Sequence, residues 1–215
     1  LNQSKDTILI YGSSHYQLAI ELSNLTGIPL FDSTQNTKYN ETAIIGKHVF
    51  ILQTGKGDSS HCINWYLLEL LNLVRMAKQN NATRITLIIP CFPYARQDKQ
   101  QEGLIEPISA KLIAKMIECA GATELICVEL HSSQIQGFFD IPVDVLSVDA
   151  DLARYIQNEL MTGKEGSFVI VSPDVGGVSR AIAIGEMLQL PVAVIYKERR
   201  DANKVSKMLL VGQVE

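Results

Sequence analysis

Apolar residues follow two rhythms along this chain. The first is the short unbroken run: Thr7–Tyr11 (TILIY), Val49–Gln53, Ile85–Ile89, Leu125–Leu130, Val143–Val148, Phe168–Val171 and Val192–Tyr196. Runs of that length between turn residues predict strands buried on both faces. Ile28–Leu30 is a shorter candidate of the same kind. The second rhythm is helical. Leu18, Leu22 and Leu25 lead to a Gly27 C-cap, and Leu67, Leu71 and Val74 mark a helix from Asn64 to Gln79. Pro107, in a first turn, opens a helix carrying Ile108, Leu112, Ile113 and Ile117, with Gly121 after it. Asp149 or Asp151 is expected to cap a helix with Leu152, Ile156 and Leu160, ended by Gly163; Val178–Leu188 is the last.

The rhythms alternate from end to end. Such alternation predicts an α/β fold, with parallel sheets flanked by helices. The series restarts near Val143, so residues 1–147 and 148–215 are expected to be two domains of one design. Phe31–Thr42 (FDSTQNTKYNET) has no period and reads as a loop or an edge strand. A further strand is expected at Met208–Val211.

Composition narrows the classes of function. Apolar residues make up 47%, charged residues 20%, and the formal net charge is −4. Lys and Arg are scattered, so no nucleic-acid surface is expected and the basic residues must act singly. Cys62, Cys91, Cys119 and Cys127 lack CxxC spacing, which argues against a disulfide or zinc framework. Cys119 and Cys127 are expected to pack as small hydrophobes. No apolar run approaches the ~18 residues that span a bilayer, and no signal-peptide layout is seen. A cytoplasmic protein without membrane partners is expected.

Polar residues gather where predicted strands end. Strand 125–130 runs into Glu129-Leu130-His131-Ser132-Ser133-Gln134, and open α/β sheets keep their ligand sites at such C-terminal ends. His131 alone would suit a core; its polar neighbours argue for a pocket. Phe138 and Phe139 read as packing. Tyr94-Ala95-Arg96-Gln97-Asp98-Lys99 follows another strand end. Arg96 is able to stack on a base or grip a phosphate, and Gln97 to read a base edge, but a solvated basic turn fits as well. In Pro173-Asp174-Val175-Gly176-Gly177 the glycines let backbone approach a ligand, and the carboxylate suits Mg²⁺. A plain Asx-capped turn is the competing reading. Lys197-Glu198-Arg199-Arg200-Asp201 taken alone reads as a charged loop. Gly55-Lys56-Gly57-Asp58-Ser59 lacks P-loop spacing, and there is no GxGxxG, HExxH or Ser–His–Asp order.

Four stretches together resemble the ribose-phosphate pyrophosphokinases: YARQDK (94–99) with EPISAKL (106–112); LHSSQIQGFFDIPVD (130–144); VSPDVGGVSRA (171–181); and Lys197-x-Arg199 with Asn203. The resemblance implies two tandem phosphoribosyltransferase-like domains, the second one short here. It also implies transfer of the diphosphoryl group of ATP to the 1-hydroxyl of ribose 5-phosphate, giving phosphoribosyl pyrophosphate and AMP with Mg²⁺. By position, Arg96, Gln97, Asp98 and Lys99 look like the ATP side. His131, Asp174, Glu129, Asp140 and Asp144 look like metal positions, with Asp174, Gly176 and Gly177 on the substrate side. Lys197, Arg199 and His131 look like the residues at the reacting centre. A homo-oligomer built from dimers, a hexamer by resemblance, is implied.

The chain departs from that pattern at several points. Glu129 and Ser133 stand where the family signature has Asp, and Glu198 where a basic residue is usual. The family's Phe-x-Asp-Gly-Glu element has no counterpart. The chain ends at Glu215, before the ribose-phosphate loop, so half of the acceptor site is expected beyond it. Two readings follow. One is an active diphosphokinase whose chain continues; the other is a non-catalytic regulatory or scaffold homologue assembling with active subunits. A phosphoribosyltransferase is a weaker third, because the ATP-side stretches argue against it. Joint retention of His131, Asp174, Lys197 and Arg199 favours the first.

Overall fold

The computed structural model describes residues 6–32, 43–55, 57–100, 103–163, 166–201 and 204–212. The expected Phe31–Thr42 loop lies largely outside these residues, as do Lys56 and Asn203. The chain separates into two compact units, Leu1–Leu146 and Ser147–Glu215.

The first unit is a six-stranded, wholly parallel sheet. Its strands are β1 (Thr7–Tyr11), β2 (Leu30–Asp32), β3 (His48–Leu52), β4 (Arg84–Ile89), β5 (Glu124–Val128) and β6 (Val143–Leu146), in the order β2-β1-β3-β4-β5-β6. The helices are α1 (Tyr16–Thr26), α2 (Ile63–Gln79) and α3 (Ser109–Ala120). The chain steps one way from β1 to β2 and the other way from β3 onward. Right-handed crossovers therefore put α1 on one face and α2 and α3 on the other. Alternate residues of each strand serve the two faces. Ile8, Ile10, Val49, Ile51, Ile85, Leu87 and Leu125 pack with the Leu70, Val74, Ile113 and Ile117 stripes of α2 and α3. Leu9, Tyr11 and Leu52 pack with Ala19 of α1.

Several element ends differ from the sequence expectation. β2 starts at Leu30, because Pro29 precedes it and its carbonyl accepts from Leu9 N (2.9 Å). α3 starts at Ser109, so Pro107 stands ahead of the helix. β5 stops at Val128, and Glu129 takes a left-handed backbone (φ 54°). Cys119 is exposed, whereas Cys127 is buried and burial pushes its thiol up to about 11.

The connection from β5 to β6 has no full helix. A 3₁₀ segment, Ser133–Phe138, descends along α3, with Ile135 fully buried. Phe139 meets Phe92 edge to face at 5.7 Å. Both phenylalanines of the Gly137-Phe138-Phe139 run therefore pack, as their sequence suggested.

The second unit holds α4 (Asp149–Tyr155), β7 (Ile170–Ser172), α5 (Val178–Leu188), β8 (Val192–Asp201) and β9 (Lys204–Val211). A widened helical turn, Ile156–Met161, extends α4. The capping position is Val148, not Asp149 or Asp151. Both aspartates lie in the first turn, where the helix dipole favours them, and Asp149 pairs with Arg180 of α5 at 3.1 Å. The sheet order is β7-β8-β9, with β8 parallel to β7 and antiparallel to β9. This corrects the expected loop at Lys197–Asp201: the charged run continues β8 and pairs with β9. Among the described residues no helix is long and apolar enough to cross a membrane.

Ile135→Ala should lower the unfolding free energy of the first unit by about 2–5 kcal/mol, the usual cost of emptying a filled core site. Urea unfolding followed at Trp65, the chain's single tryptophan, measures it.

Candidate functional site

The C-terminal edge of the first sheet collects the loops that follow β1, β3, β4 and β5. Where β1 and β3 diverge, Gln53 sits fully buried. Its amide nitrogen donates to Glu69 Oε2 (2.5 Å), and its oxygen accepts from the Ser14 hydroxyl. Ser14 Oγ accepts from Thr54 N (3.0 Å), and Ser13 Oγ donates to Glu69 (2.7 Å). Gly12 faces this amide: a Cβ there would lie 2.5 Å from Gln53 Cδ. The network fastens the first loop to the third strand. Beyond it, Asp58 accepts from the backbone of Ser60 and His61 and from the Tyr66 hydroxyl. That last bond is the main cause holding the Tyr66 phenol up at about 12. This stretch helps to build the edge.

The loop after β4 carries the first candidate residues. Gly55 N donates to Cys91 O (2.8 Å), and a Cβ on Gly55 would lie 2.5 Å from Pro93, so glycine is required there. Tyr94 takes a left-handed backbone (φ 55°), and its hydroxyl reaches Asn64 of α2 at 2.6 Å. The Gln97 carbonyl accepts from Ala110 N (3.1 Å), which seats the loop on the start of α3. A cavity of about 330 Å³ results, lined by Arg96, Gln97, Lys99, Glu106 and Pro107. Two cations, an amide and a carboxylate around one hollow suit a polar, anionic ligand with hydrogen-bonding edges. Glu106 and Pro107 were not singled out from sequence as lining a ligand pocket. Their signal was their place in EPISAKL, beside the basic turn.

The loop after β5 lies next to it. Glu129 N donates to Leu146 O (3.1 Å), and its left-handed backbone turns the chain out of the sheet. His131 follows, exposed. The Ser132 hydroxyl donates to Asp98 Oδ2 at 2.6 Å and joins the two loops. That bond, ahead of the charges of His131 and Lys99, holds the Asp98 carboxyl below the usual carboxylate range. The structure thus brings Arg96, Gln97, Asp98, Lys99, Glu129 and His131 to one edge.

Asp140 and Asp144 are not brought there. Asp140 precedes β6 and so lies at the opposite, N-terminal edge. Its carboxylate accepts from Lys115 Nζ (2.5 Å), which also reaches Glu118 (2.8 Å). Lys115 is the main cause that lowers the Asp140 pKa. Asp144 lies within β6, in register with Ile126. The two aspartates that the resemblance implied as metal positions thus lie away from the edge that carries Glu129 and His131. Among the described residues no group of three or more His, Cys, Asp or Glu side chains forms a cage.

The second unit carries its own candidate turn. Asp174 caps the step into α5: its Oδ1 accepts from Gly177 N (3.1 Å). The Ser172 hydroxyl donates to the Asp174 carbonyl (2.7 Å). A Cβ on Gly177 would lie 2.9 Å from Ser172 Oγ, so this glycine is needed for packing. Gly176 has room: its Cβ would meet only Asp174 Oδ1, at 3.3 Å. The Asx cap and the exposed carboxylate coexist, since a cap occupies one oxygen. Lys197 and Arg199 lie on β8, paired with Met208 and Val205 of β9.

Comparison with known proteins places the chain beside relatives of one kind. The model of the N-terminal domain of ribose phosphate pyrophosphokinase matches residues 7–121. Ribose-phosphate pyrophosphokinase 2 of Schizosaccharomyces pombe is 43% identical over 210 residues, covering 94% of this chain and 64% of that protein. The crystal structure of phosphoribosylpyrophosphate synthetase from Mycobacterium smegmatis superposes with a TM-score of 0.82 at 33% identity, covering 96% of this chain and 67% of that one. The chain therefore spans a little under two thirds of the curated relative's length.

The Tyr66 phenol should titrate near 12, and Asp58→Ala should lower it toward 10.0. The raised value stabilises the fold fully below the ordinary phenol pKa, and that contribution disappears as pH rises through about 12. NMR of carbon-labelled tyrosine reads both the value and its loss.

Proposed function

The chain belongs to the ribose-phosphate pyrophosphokinase family, and from that premise we propose that the full-length protein is an active diphosphokinase. It moves the diphosphoryl group of ATP to the 1-hydroxyl of ribose 5-phosphate and releases AMP. The observation that carries this reading is the cavity lined by Arg96, Gln97 and Lys99 at the C-terminal edge of a parallel sheet, beside His131.

The residues divide the work. Arg96 offers a planar cation for a base or a phosphate, and Gln97 an amide for a base edge. Asp98 and Lys99 complete the ATP side. Gly176 and Gly177, lacking side chains, let the backbone of the Asp174 turn come close to a phosphorylated sugar. Lys197 and Arg199 are the cations for charge that develops on the diphosphoryl oxygens in the transition state.

Magnesium is the cofactor we propose. Mg²⁺ keeps most of its waters and takes one or two protein groups together with substrate phosphates. Isolated ligands such as the Asp174 carboxylate, with one oxygen left by its cap, fit that habit better than a protein cage would. In the first unit, Glu129 and His131 are the residues we propose as metal positions. The bound ion would neutralise phosphate charge. We also propose that the two units are tandem phosphoribosyltransferase-like domains and that the protein works in the cytoplasm as a homo-oligomer.

Full-length protein given ATP, ribose 5-phosphate and Mg²⁺ should release AMP only when the sugar phosphate is present. No release from folded protein would overturn the reading in favour of a non-catalytic homologue, and sugar-independent release would overturn ribose 5-phosphate as the acceptor. Lys197→Ala should lower kcat by about 100-fold or more while leaving ATP affinity nearly intact. Equal losses in both would remove Lys197 from the transition state.

A further inference from the structure

The two candidate loops of the first unit are anchored unequally. Loop 94–99 is fastened from outside itself: Tyr94 to Asn64 of α2, and the Gln97 carbonyl to Ala110 of α3. The stretch after β5 starts from a left-handed Glu129, packs Leu130 against the core, and is next fully buried at Ile135. Within it, Gln136 to Ser133 O (3.4 Å) and Ile135 N to Ser132 O (3.3 Å) are bonds to its own backbone. The Ser132 hydroxyl is different. It crosses to the neighbouring loop and meets Asp98 Oδ2 at 2.6 Å, in a partly buried setting.

We infer that Ser132 is a positioning residue that makes the two loops one mechanical piece. His131 is its immediate neighbour in the chain. When Ser132 is held on Asp98, the His131 backbone is held at a fixed distance from Arg96 and Gln97. A nucleotide that orders loop 94–99 therefore orders residues 130–134 as well. The bond is charge-assisted, with a carboxylate as acceptor, which puts it among the stronger hydrogen bonds. An alanine at 132 removes the donor and frees the His131 loop. A threonine keeps the hydroxyl. The kinetic consequence rests on the reading given above; the mechanical one does not.

Amide hydrogen exchange on the full-length protein tests this, using peptides covering 94–99 and 130–134. In wild type, a non-hydrolysable ATP analogue with Mg²⁺ should slow exchange in both. In Ser132→Ala it should slow only 94–99, and Ser132→Thr should restore the joint response. Ser132→Ala should also lower kcat roughly 10- to 100-fold, the scale of a small misplacement, with analogue affinity little changed. The Asp98→Ala, Ser132→Ala double variant should be no slower than Asp98→Ala alone. Equal slowing of 130–134 in Ser132→Ala and wild type, or additive kinetic losses, would overturn the inference. Wild type that binds the analogue but makes no AMP removes the activity, while the exchange result still decides the coupling. If wild type does not bind it, exchange without ligand decides. Faster exchange in both peptides of Ser132→Ala, and not of Ser132→Thr, supports the coupling; unchanged exchange refutes it.

Discussion

Parallel pairing is the constraint on which the first unit rests. Thr7 pairs with His48, His48 with Arg84, and Thr86 with Glu124, so the strands start and stop nearly in step. Every loop that follows a strand must then leave by the same edge. That alone brings Ser13, Gln53, Arg96 and His131 together from positions far apart in the chain. The site is a result of register before it is a result of any side chain. Buried polar groups at such an edge must still find partners, and Gln53 shows how: each end of its amide is bonded, to Ser14 and to Glu69.

The other edge of the sheet makes a useful contrast. There His48 Nε2 lies 2.8 Å from Thr86 Oγ1, Thr86 donates to Glu124 (2.7 Å), and Arg84 pairs with Glu124 (2.6 Å). Burial and then the Arg84 charge lower the His48 pKa. Lys115, Glu118 and Asp140 form a second closed set. These polar groups are engaged with one another. Both edges are rich in charge, but one consumes its charges internally and the other presents them.

Much of the fold was legible because strands buried on both faces must be unbroken apolar runs, and α2, α3 and α5 carry clear helical stripes. The misses have local causes. Glu129 ends β5 through a left-handed backbone that no glycine announces. β8 runs on to Asp201 because β9 supplies its partner, and Lys-Glu-Arg-Arg-Asp has no apolar alternation to reveal a strand. Among site residues, Lys197 and Arg199 lie within β8, whereas Arg96, His131 and Asp174 were read correctly as following a strand end. Asp140 and Asp144 were not, because membership of a motif does not say which edge of a sheet a residue reaches. Glu106 was quoted only as part of EPISAKL, because its chemistry as a helix-preceding acid does not show that it lines a pocket.

The strand order also governs assembly in time. β1 is made first but lies second from the edge, between β2 and β3. Its ladder to β3 closes the whole stretch from Tyr11 to His48, so β1 remains half-paired until residues through Leu52 have been synthesised. Only after that do β4, β5 and β6 add one at a time on the growing side. Non-local parallel pairings of this sort are slow to form and leave strand edges open meanwhile. A nascent chain halted inside α2 would hold all three early strands yet lack the helical cover for one face of them. That length is where a chaperone would have most to shield.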